Sequence, residues 1–380
     1  GFSAASSNTA NNITAIGTYA LLSNTTGACN TAIGKSALQA NQVGLRNTAV
    51  GNFALRSNTT NYNTAVGAYA LDANTTGGCN VALGDFALRC NTTANGNTGL
   101  GRQALQENTT GAFNTAVGLR SLRLNTTGQR NTGLGYQALG ANTTGDRNTA
   151  VGSSALVSNT TGRYNTAGGT FALSSNTAGR CNVAFGENSL SSNTVGEFNT
   201  AIGTRALFSS TEGNRNVAIG QCALSSNLNG GCAVAIGAYA AQFATGSFTV
   251  AIGYKSARNT STTITAIGYC SLSSNTTGGQ NVAVGHCSMR LNTIGRYNTA
   301  VGYRTLSTNV EGRCVTAIGS HALRVNTGIS NTAVGTFALG SNTAGVYNTA
   351  VGNKSLTSNT TGNRNSAFGE LALTSNTAGS

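Results

Sequence analysis

Apolar and polar residues follow a pattern with a fixed period of about 17 residues along the chain, as in "NTAVGLRSLRLNTTGQR" at 114–130. Numbered from its first Asn, the repeat reads Asn-Thr-Ala-Val-Gly at positions one to five, Ala-Leu at eight and nine, and Asn-Thr-Thr-Gly at twelve to fifteen. Position four is apolar in every copy except the one with Gly168, and position nine is Leu in 19 of 22 copies. A fixed short period of this kind indicates a repeat architecture.

Two large apolar residues per repeat are too few for a core inside one unit, so the units must stack on one another. The segment "NTAVG" alternates polar and apolar residues like a short strand that ends at a Gly corner. Helical repeats need roughly 33 to 47 residues, which this period does not provide. The sequence therefore predicts an all-β fold, a parallel β-solenoid of about 22 coils with about 17 residues per coil, in which positions four and nine point inward.

The repeat runs through residues 1–380, which predicts a single continuous solenoid rather than several globular domains. With neighbouring strands about 4.8 Å apart, such a stack would extend on the order of 100 Å. The sequence begins and ends inside the pattern, at "GFSAASSNTA" and "NTAGS", which favours part of a longer chain or filament. Irregular coils are expected around residues 233–268, where the period shortens and Asn-Thr-Thr disappears.

The Asn residues at positions one and twelve recur in nearly every repeat. In a stack of coils they would lie above one another, and their amides could form hydrogen-bonded ladders along the axis. Many position-twelve residues also belong to Asn-x-Ser/Thr sequons, so glycosylation of a secreted chain is the alternative interpretation. The candidate glycosylation sites are Asn24, Asn58, Asn74, Asn108, Asn125, Asn142 and Asn159.

The amino-acid composition mainly excludes certain partners and locations for the chain. Charged residues make up 8% of the chain, against about 25% in an ordinary soluble domain. The formal net charge of +13 comes mostly from Arg residues spread along the chain, which favours solubility over a clustered nucleic-acid footprint. No apolar run approaches the roughly 20 residues that a membrane-spanning helix needs. The sequence thus predicts neither a specific nucleic-acid partner nor membrane insertion.

Residues able to support catalysis or metal binding are sparse. The two histidines, His286 and His321, lie two repeats apart in variable positions, and the nine acidic residues never recur at a fixed position. That irregularity excludes calcium-binding coils of the Asp-rich type, and the absence of a Cys-x-x-Cys pair disfavours zinc. We therefore predict that the chain is not an enzyme and has no cofactor, metal site or catalytic residue.

The nine cysteines fall into columns of the repeat. Cys270 and Cys287 should lie in consecutive coils, with backbones about 4.8 Å apart, which is within the range that a disulfide tolerates. They form the candidate disulfide. The alternative is that the cysteines are small apolar side chains, interchangeable with the Tyr, Phe and Arg residues found in the same columns.

The irregular segment at residues 233–268 resembles part of a known protein family. Three short segments resemble the sequence motifs of the head repeats in trimeric autotransporter adhesins: Val234–Gly237, Val250–Gly253 and Thr265–Gly268. Elsewhere, "NTAVGxxALxxNTTG" is similar to the longer repeat of phage tail fibre-like and bacterial surface proteins. The resemblance implies a left-handed parallel β-roll, often trimeric, on a cell surface or virion. It specifies an architecture rather than an activity.

Three functions remain open. The first is an extracellular, cell-surface or virion structural fibre that assembles with itself as a trimer or helical polymer. The second is an adhesin or receptor-binding tail fibre for a host-surface glycan or protein, and the third is ice binding by Thr rows. Exposed aromatic and Arg columns favour a protein interface. The predicted interface residues are Tyr62, Phe113, Tyr164, Phe198, Tyr297 and Tyr347.

Overall fold

The computed structural model describes residues 3–379, which form two compact units, Gly1–Val195 and Gly196–Ser380. Each unit consists of stacked coils that contribute one short strand apiece, and no helix occurs within residues 3–379. Residues 1, 2 and 380, which belong to the predicted continuous solenoid, lie outside the described residues. A single domain over 1–380 stays a prediction.

Each strand covers positions two to four of its repeat, with one extra residue in β16 and β17. The strands of the first unit are β1 Thr14–Ile16, β2 Thr31–Ile33, β3 Thr48–Val50, β4 Thr64–Val66, β5 Val81–Leu83, β6 Thr98–Leu100, β7 Thr115–Val117, β8 Thr132–Leu134, β9 Thr149–Val151, β10 Thr166–Gly168 and β11 Val183–Phe185. Those of the second unit are β12 Thr200–Ile202, β13 Val217–Ile219, β14 Val234–Ile236, β15 Val250–Ile252, β16 Ile264–Ile267, β17 Asn281–Val284, β18 Thr299–Val301, β19 Thr316–Ile318, β20 Thr332–Val334, β21 Thr349–Val351 and β22 Ser366–Phe368.

Within each unit, a strand pairs in parallel with the strand of the next coil, and equivalent repeat positions face each other. Thr115 pairs with Thr132 in the first unit. In the second unit, Val250 pairs with Thr265, so the register is kept even where the period shortens. The predicted fold class is confirmed: the chain is an all-β, parallel β-solenoid of about 22 coils with about 17 residues per coil.

The interior of each coil is narrow and is filled mainly by small side chains. Ala at positions three and eight and Leu at position nine have essentially no exposed surface, as Ala116 and Leu122 illustrate. Each Leu packs against equivalent residues of adjacent coils, so the core exists only between repeats. The prediction that position nine points inward is confirmed.

The prediction that position four points inward is wrong. Ile16 is 58% exposed, Leu83 49% and Val151 45%. Because side chains alternate across a strand, positions two and four share one face while position three takes the other. The buried face belongs to the Ala at position three. Strict apolar occupancy of position four therefore marks an outer surface rather than the core.

The Asn residues at position twelve form the predicted ladder inside the coils. Nδ2 of Asn125 donates to Oδ1 of Asn108 over 2.7 Å and to the carbonyl oxygen of Gly128 over 2.9 Å. Nδ2 of Asn142 in turn donates to Oδ1 of Asn125. These amides are fully buried, so the ladder satisfies polar groups that would otherwise be costly to bury.

A second ladder runs through position one and includes the backbone. Oδ1 of Asn114 accepts the backbone N–H of Asn131 over 2.9 Å, and Nδ2 of Asn131 donates to the carbonyl oxygen of Gly145 over 2.8 Å. The two ladders thus hold consecutive coils together with directional bonds. This arrangement explains why Asn recurs at positions one and twelve.

Sharp corners let so short a repeat close into a coil. Gly118 at position five has φ +125°, and a Cβ there would lie 2.6 Å from the carbonyl oxygen of Gly135 in the next coil. Leu122 at position nine has φ 50°, in the left-handed region that non-Gly residues seldom adopt. Its N–H donates to the carbonyl oxygen of Ala138 over 2.9 Å, so packing and inter-coil bonds hold the corner.

The irregular coils interrupt the position-twelve ladder. Ala244 and Thr260 replace Asn between Asn227 and Asn275. Nδ2 of buried Asn227 has no hydrogen-bond partner, and Nδ2 of Asn275 reaches the Thr260 hydroxyl only at 3.3 Å. These coils therefore have weaker cohesion than the regular ones.

We expect hydrogen exchange to be fastest in this interrupted segment. The amide of Ala244, which donates to Ala241, should exchange faster than the equivalent amide of Asn142 because the side-chain ladder is missing. Ala244→Asn should slow that exchange, since Asn326 makes the ladder bond to Gly328 in another shortened coil. Amide exchange read by mass spectrometry provides the measurement. Equal protection of both segments in the native chain would contradict this account.

Candidate functional site

Charged residues and strands occupy different surfaces of the coil. No strand within residues 3–379 contains a charged side chain, and the charges lie at positions six, seven, ten, eleven, fourteen, sixteen and seventeen. We call the outward-facing side chains at positions two and four, which are half-buried or exposed, the strand face. We call the aromatic and His rings at positions six and seven the ring row.

The strand face carries two parallel rows of side chains. In the first unit position two is Thr in nine of eleven strands, and Thr115, Thr132 and Thr149 lie in register. Position four adds a row of exposed Ile, Val, Leu and Phe side chains. A contiguous uncharged surface of this kind is typical of an interaction site.

The ring row of the second unit is continuous over seven coils. Neighbouring ring centroids are 4.8 to 6.0 Å apart, and several pairs are stacked face to face. Its members are Tyr239, Tyr254, Tyr269, His286, Tyr303, His321 and Phe337. Tyr239 and Tyr254 meet edge to face, as do Tyr303 and His321. In the stacked pairs the ring faces contact each other, so the ring edges and polar atoms remain available to a ligand.

A shorter ring row in the first unit contains Phe53, Tyr69 and Phe86, with centroids 5.1 and 5.4 Å apart. The guanidinium of Arg56 lies 5.2 Å from the Phe53 ring, and that of Arg89 lies 5.6 Å from the Phe86 ring. These are cation–π contacts. Arg at position ten therefore lies beside the ring row.

A cleft of about 510 Å³ lies along the ring row of the second unit. Its lining includes Tyr269 and His286 together with Arg290, Arg304 and Arg324, and it contains no acidic residue. None of these three guanidinium groups forms an ion pair within the described part of the chain. The cleft is therefore strongly electropositive.

Two titratable groups respond to burial and charge here: Cys287 in the lining of the cleft and His321, which lies beside the cleft arginines Arg304 and Arg324. Burial lowers the pKa of His321 below its usual 6.5, and the positive charges of Arg324 and Arg304 lower it further. Burial also raises the pKa of the Cys287 thiol, with Cys270 adding to the effect. A thiol held in its protonated form is a poor nucleophile. The cleft thus favours binding an anion over thiol chemistry.

The sequence prediction placed the two histidines as isolated variable residues. Both belong to the ring row instead. The available signal was a ring at position six or seven of every coil from Tyr239 to Phe337, which is split between two columns. No group of three or more metal-binding side chains occurs among residues 3–379. That the chain lacks catalytic activity stays a prediction.

All nine cysteines are free thiols in this structure, so the candidate bridge between Cys270 and Cys287 is not formed here. The two residues do lie in consecutive coils: the N–H of Cys270 bonds to Tyr254, and that of Cys287 bonds to Tyr269. Cys287 is buried and Cys270 is partly exposed. A bridge under oxidising conditions stays a prediction.

The six predicted interface aromatics are all exposed at the last position of their repeats, which is position seventeen except for Tyr62 in a 16-residue repeat. About half of each side chain is accessible, for instance 58% of Phe113 and 48% of Phe198. The guanidinium groups of Arg130 and Arg215 lie 5.9 and 6.0 Å from these two rings. The same column includes Tyr62, Tyr164, Tyr297 and Tyr347. A role of this column in an interface stays a prediction.

The seven glycosylation candidates lie within the position-twelve ladder, and each is fully buried. In Asn125 and Asn142, for example, Nδ2 already donates two hydrogen bonds. A glycan on Nδ2 would remove a donor and would have no space inside the coil. The folded arrangement therefore disfavours glycosylation at these seven residues.

The described residues contain no helix with the length and apolar character needed to cross a membrane.

No protein-family model matches the chain, and no curated protein sequence matches it.

Proposed function

We propose that this chain is a non-catalytic structural subunit of a fibre, which assembles with further copies of itself through the strand face. The observation that carries the proposal is the charge-free pair of solvent-facing rows, in which position-two side chains are mostly half-buried and position-four side chains are half-buried or exposed. Each unit presents these rows at the spacing of its paired strands, about 4.8 Å.

A second copy is the partner that fits this surface best. It carries the same rows at the same spacing, so side chains of two strand faces can interdigitate along their length. The net charge of +13 resides on other parts of the coil, and it leaves the strand face as the surface where copies repel each other least. Covering a half-exposed aliphatic side chain contributes about 1 kcal/mol, and the row supplies one in nearly every coil.

An extracellular, cell-surface or virion location accompanies this proposal. Its support is the resemblance of residues 233–268 to adhesin head repeats, together with a surface suited to multimeric packing. A trimer or a laterally packed helical polymer can each be built with the strand faces in contact. Both are therefore compatible with the same contact.

Three glutamates on the strand face should dissolve the assembly. We expect the native chain to sediment as a multimer, and we expect the face variant Leu83→Glu, Leu134→Glu, Val151→Glu to sediment as a monomer with unchanged circular dichroism. A matched control adds the same charge at exposed positions elsewhere, with Asn52→Glu, Gln129→Glu and Ser153→Glu. The control should assemble like the native chain. Equal assembly of both variants would overturn the proposal.

Ice binding is the second candidate, because the strand face of the first unit combines an ordered Thr row with an aliphatic row and excludes charge. The two functions differ in their readout. An ice-binding face would act in the monomer and would depress the freezing point below the melting point. Thr115→Tyr with Thr132→Tyr should abolish that gap, while a native chain without such a gap excludes this candidate.

A further inference from the structure

We propose that the electropositive cleft beside the ring row of the second unit binds an acidic polysaccharide through its sulfate or carboxylate groups. This site is separate from the strand face, and the inference goes beyond the structural role proposed above. It would give a fibre a means of attachment.

The local charge around the cleft favours a polyanionic ligand. Between residues 239 and 337 the only acidic residue is Glu311. The same segment contains seven cations: Lys255, Arg258, Arg290, Arg296, Arg304, Arg313 and Arg324. Such an imbalance, concentrated along one stretch of the coil, attracts polyanions.

The spacing of the arginines matches the repeat of an extended polysaccharide. Arg258, Arg290 and Arg324 all occupy position ten, and each is two coils from the next. Two coils correspond to about 10 Å along the stack. That interval is comparable to the disaccharide repeat of an extended polysaccharide. One guanidinium would therefore meet one acidic group in each disaccharide.

The hydrogen-bond donors that line the cleft suit sulfate and carboxylate groups. Guanidinium groups match the geometry of sulfate and carboxylate oxygens with paired N–H donors. Arg304 lines the cleft, and its guanidinium lies 5.4 Å from the Tyr303 ring. The hydroxyl-bearing residues Ser307 and Thr308 also line it. Such a lining suits a polymer that carries both anions and hydroxyl groups.

The geometry of the ring row favours a polysaccharide over single-stranded nucleic acid. Nucleic-acid strands bind largely by stacking their bases on open aromatic faces. Here Tyr269 and His286 are 4.9 Å apart at 10°, and His321 and Phe337 are 4.8 Å apart at 6°. A base cannot enter between rings at this distance. A sugar polymer needs only the ring edges and the adjacent cations.

Calorimetric titration of the full chain with a short heparin oligosaccharide at physiological salt tests the inference. We expect measurable binding that weakens at least about tenfold in the cleft variant Arg290→Gln, Arg304→Gln, Arg324→Gln. The control variant Arg102→Gln, Arg123→Gln, Arg364→Gln loses the same charge outside the cleft, and its affinity should stay within about twofold. Circular dichroism should be the same for all three proteins.

The inference would be overturned by an absence of heparin binding to the native chain, by equal weakening of both variants, or by equal binding of uncharged dextran. Oligothymidine of similar charge serves as the competitor. If it binds more tightly than heparin and displaces it, the site belongs to nucleic acid instead.

As an independent readout, heparin should raise the pKa of His321 in an NMR titration of the native chain, because a bound anion offsets Arg304 and Arg324. An unchanged titration of His321 would contradict binding in the cleft.

Discussion

Replacing Asn125 with Ala should lower the free energy of unfolding by about 4 kcal/mol, because several buried polar groups lose their partners at once. The change leaves Oδ1 of Asn108 without its donor, and it removes one of the two donors to the carbonyl oxygen of Gly128, which keeps Nδ2 of Asn114. It also removes one of the two acceptors of Asn142 Nδ2. All these groups are inside the coil, where the unsatisfied oxygen of Asn108 costs about 1–3 kcal/mol and each of the other lost hydrogen bonds about 1 kcal/mol. Equilibrium denaturation of the native chain and the variant measures the difference.

Asn52→Ala is the matched control, because Asn52 is an exposed Asn at position six. Its effect should remain within about 0.5 kcal/mol. If Asn125→Ala proves equally mild, the ladder does not hold the coils together, and the recurring Asn residues need another explanation.

The second large effect separates two leucines in the same coil. Leu139 at position nine is fully buried, whereas Leu134 at position four is 36% exposed. Leu139→Ala should cost about 3 kcal/mol, since it leaves a cavity between coils that cannot collapse easily. Leu134→Ala should cost about 0.5 kcal/mol or less in the unassembled chain.

Thermal and denaturant unfolding of the two variants, at a concentration where the chain is dispersed, provides the comparison. Equal destabilisation would mean that position four contributes to the core after all. A larger loss of unfolding free energy for Leu134→Ala would mean that position four lies inside the coil and position nine outside.

The repeat period and the absence of helical spacing were enough to predict the solenoid, its coil count and the Asn ladders. The orientation of position four was not predictable from its apolar occupancy alone. Val117 and Ala116 are neighbours in one strand, and only one of them can face the interior. A narrow coil accommodates Ala there, whereas the larger side chain lies outside.

The ring row escaped prediction for a different reason. Its members occupy position six in some coils and position seven in others, as Tyr303 and His321 do, so no single column reveals it. Their adjacency depends on how the backbone turns after the Gly at position five. The cleft likewise arises from three arginines at two repeat positions, and only the stacked coils bring them together.

The central claim, self-association through the strand face, is tested most directly by electron cryo-microscopy of the native assembly. The account predicts multimers in which strand faces of adjacent copies pack about 10 Å apart, as facing sheets do, with side chains such as Leu83 and Val151 between them. A stable 38.1 kDa monomer with the strand face in solvent, or a multimer joined through the ring row instead, would contradict it.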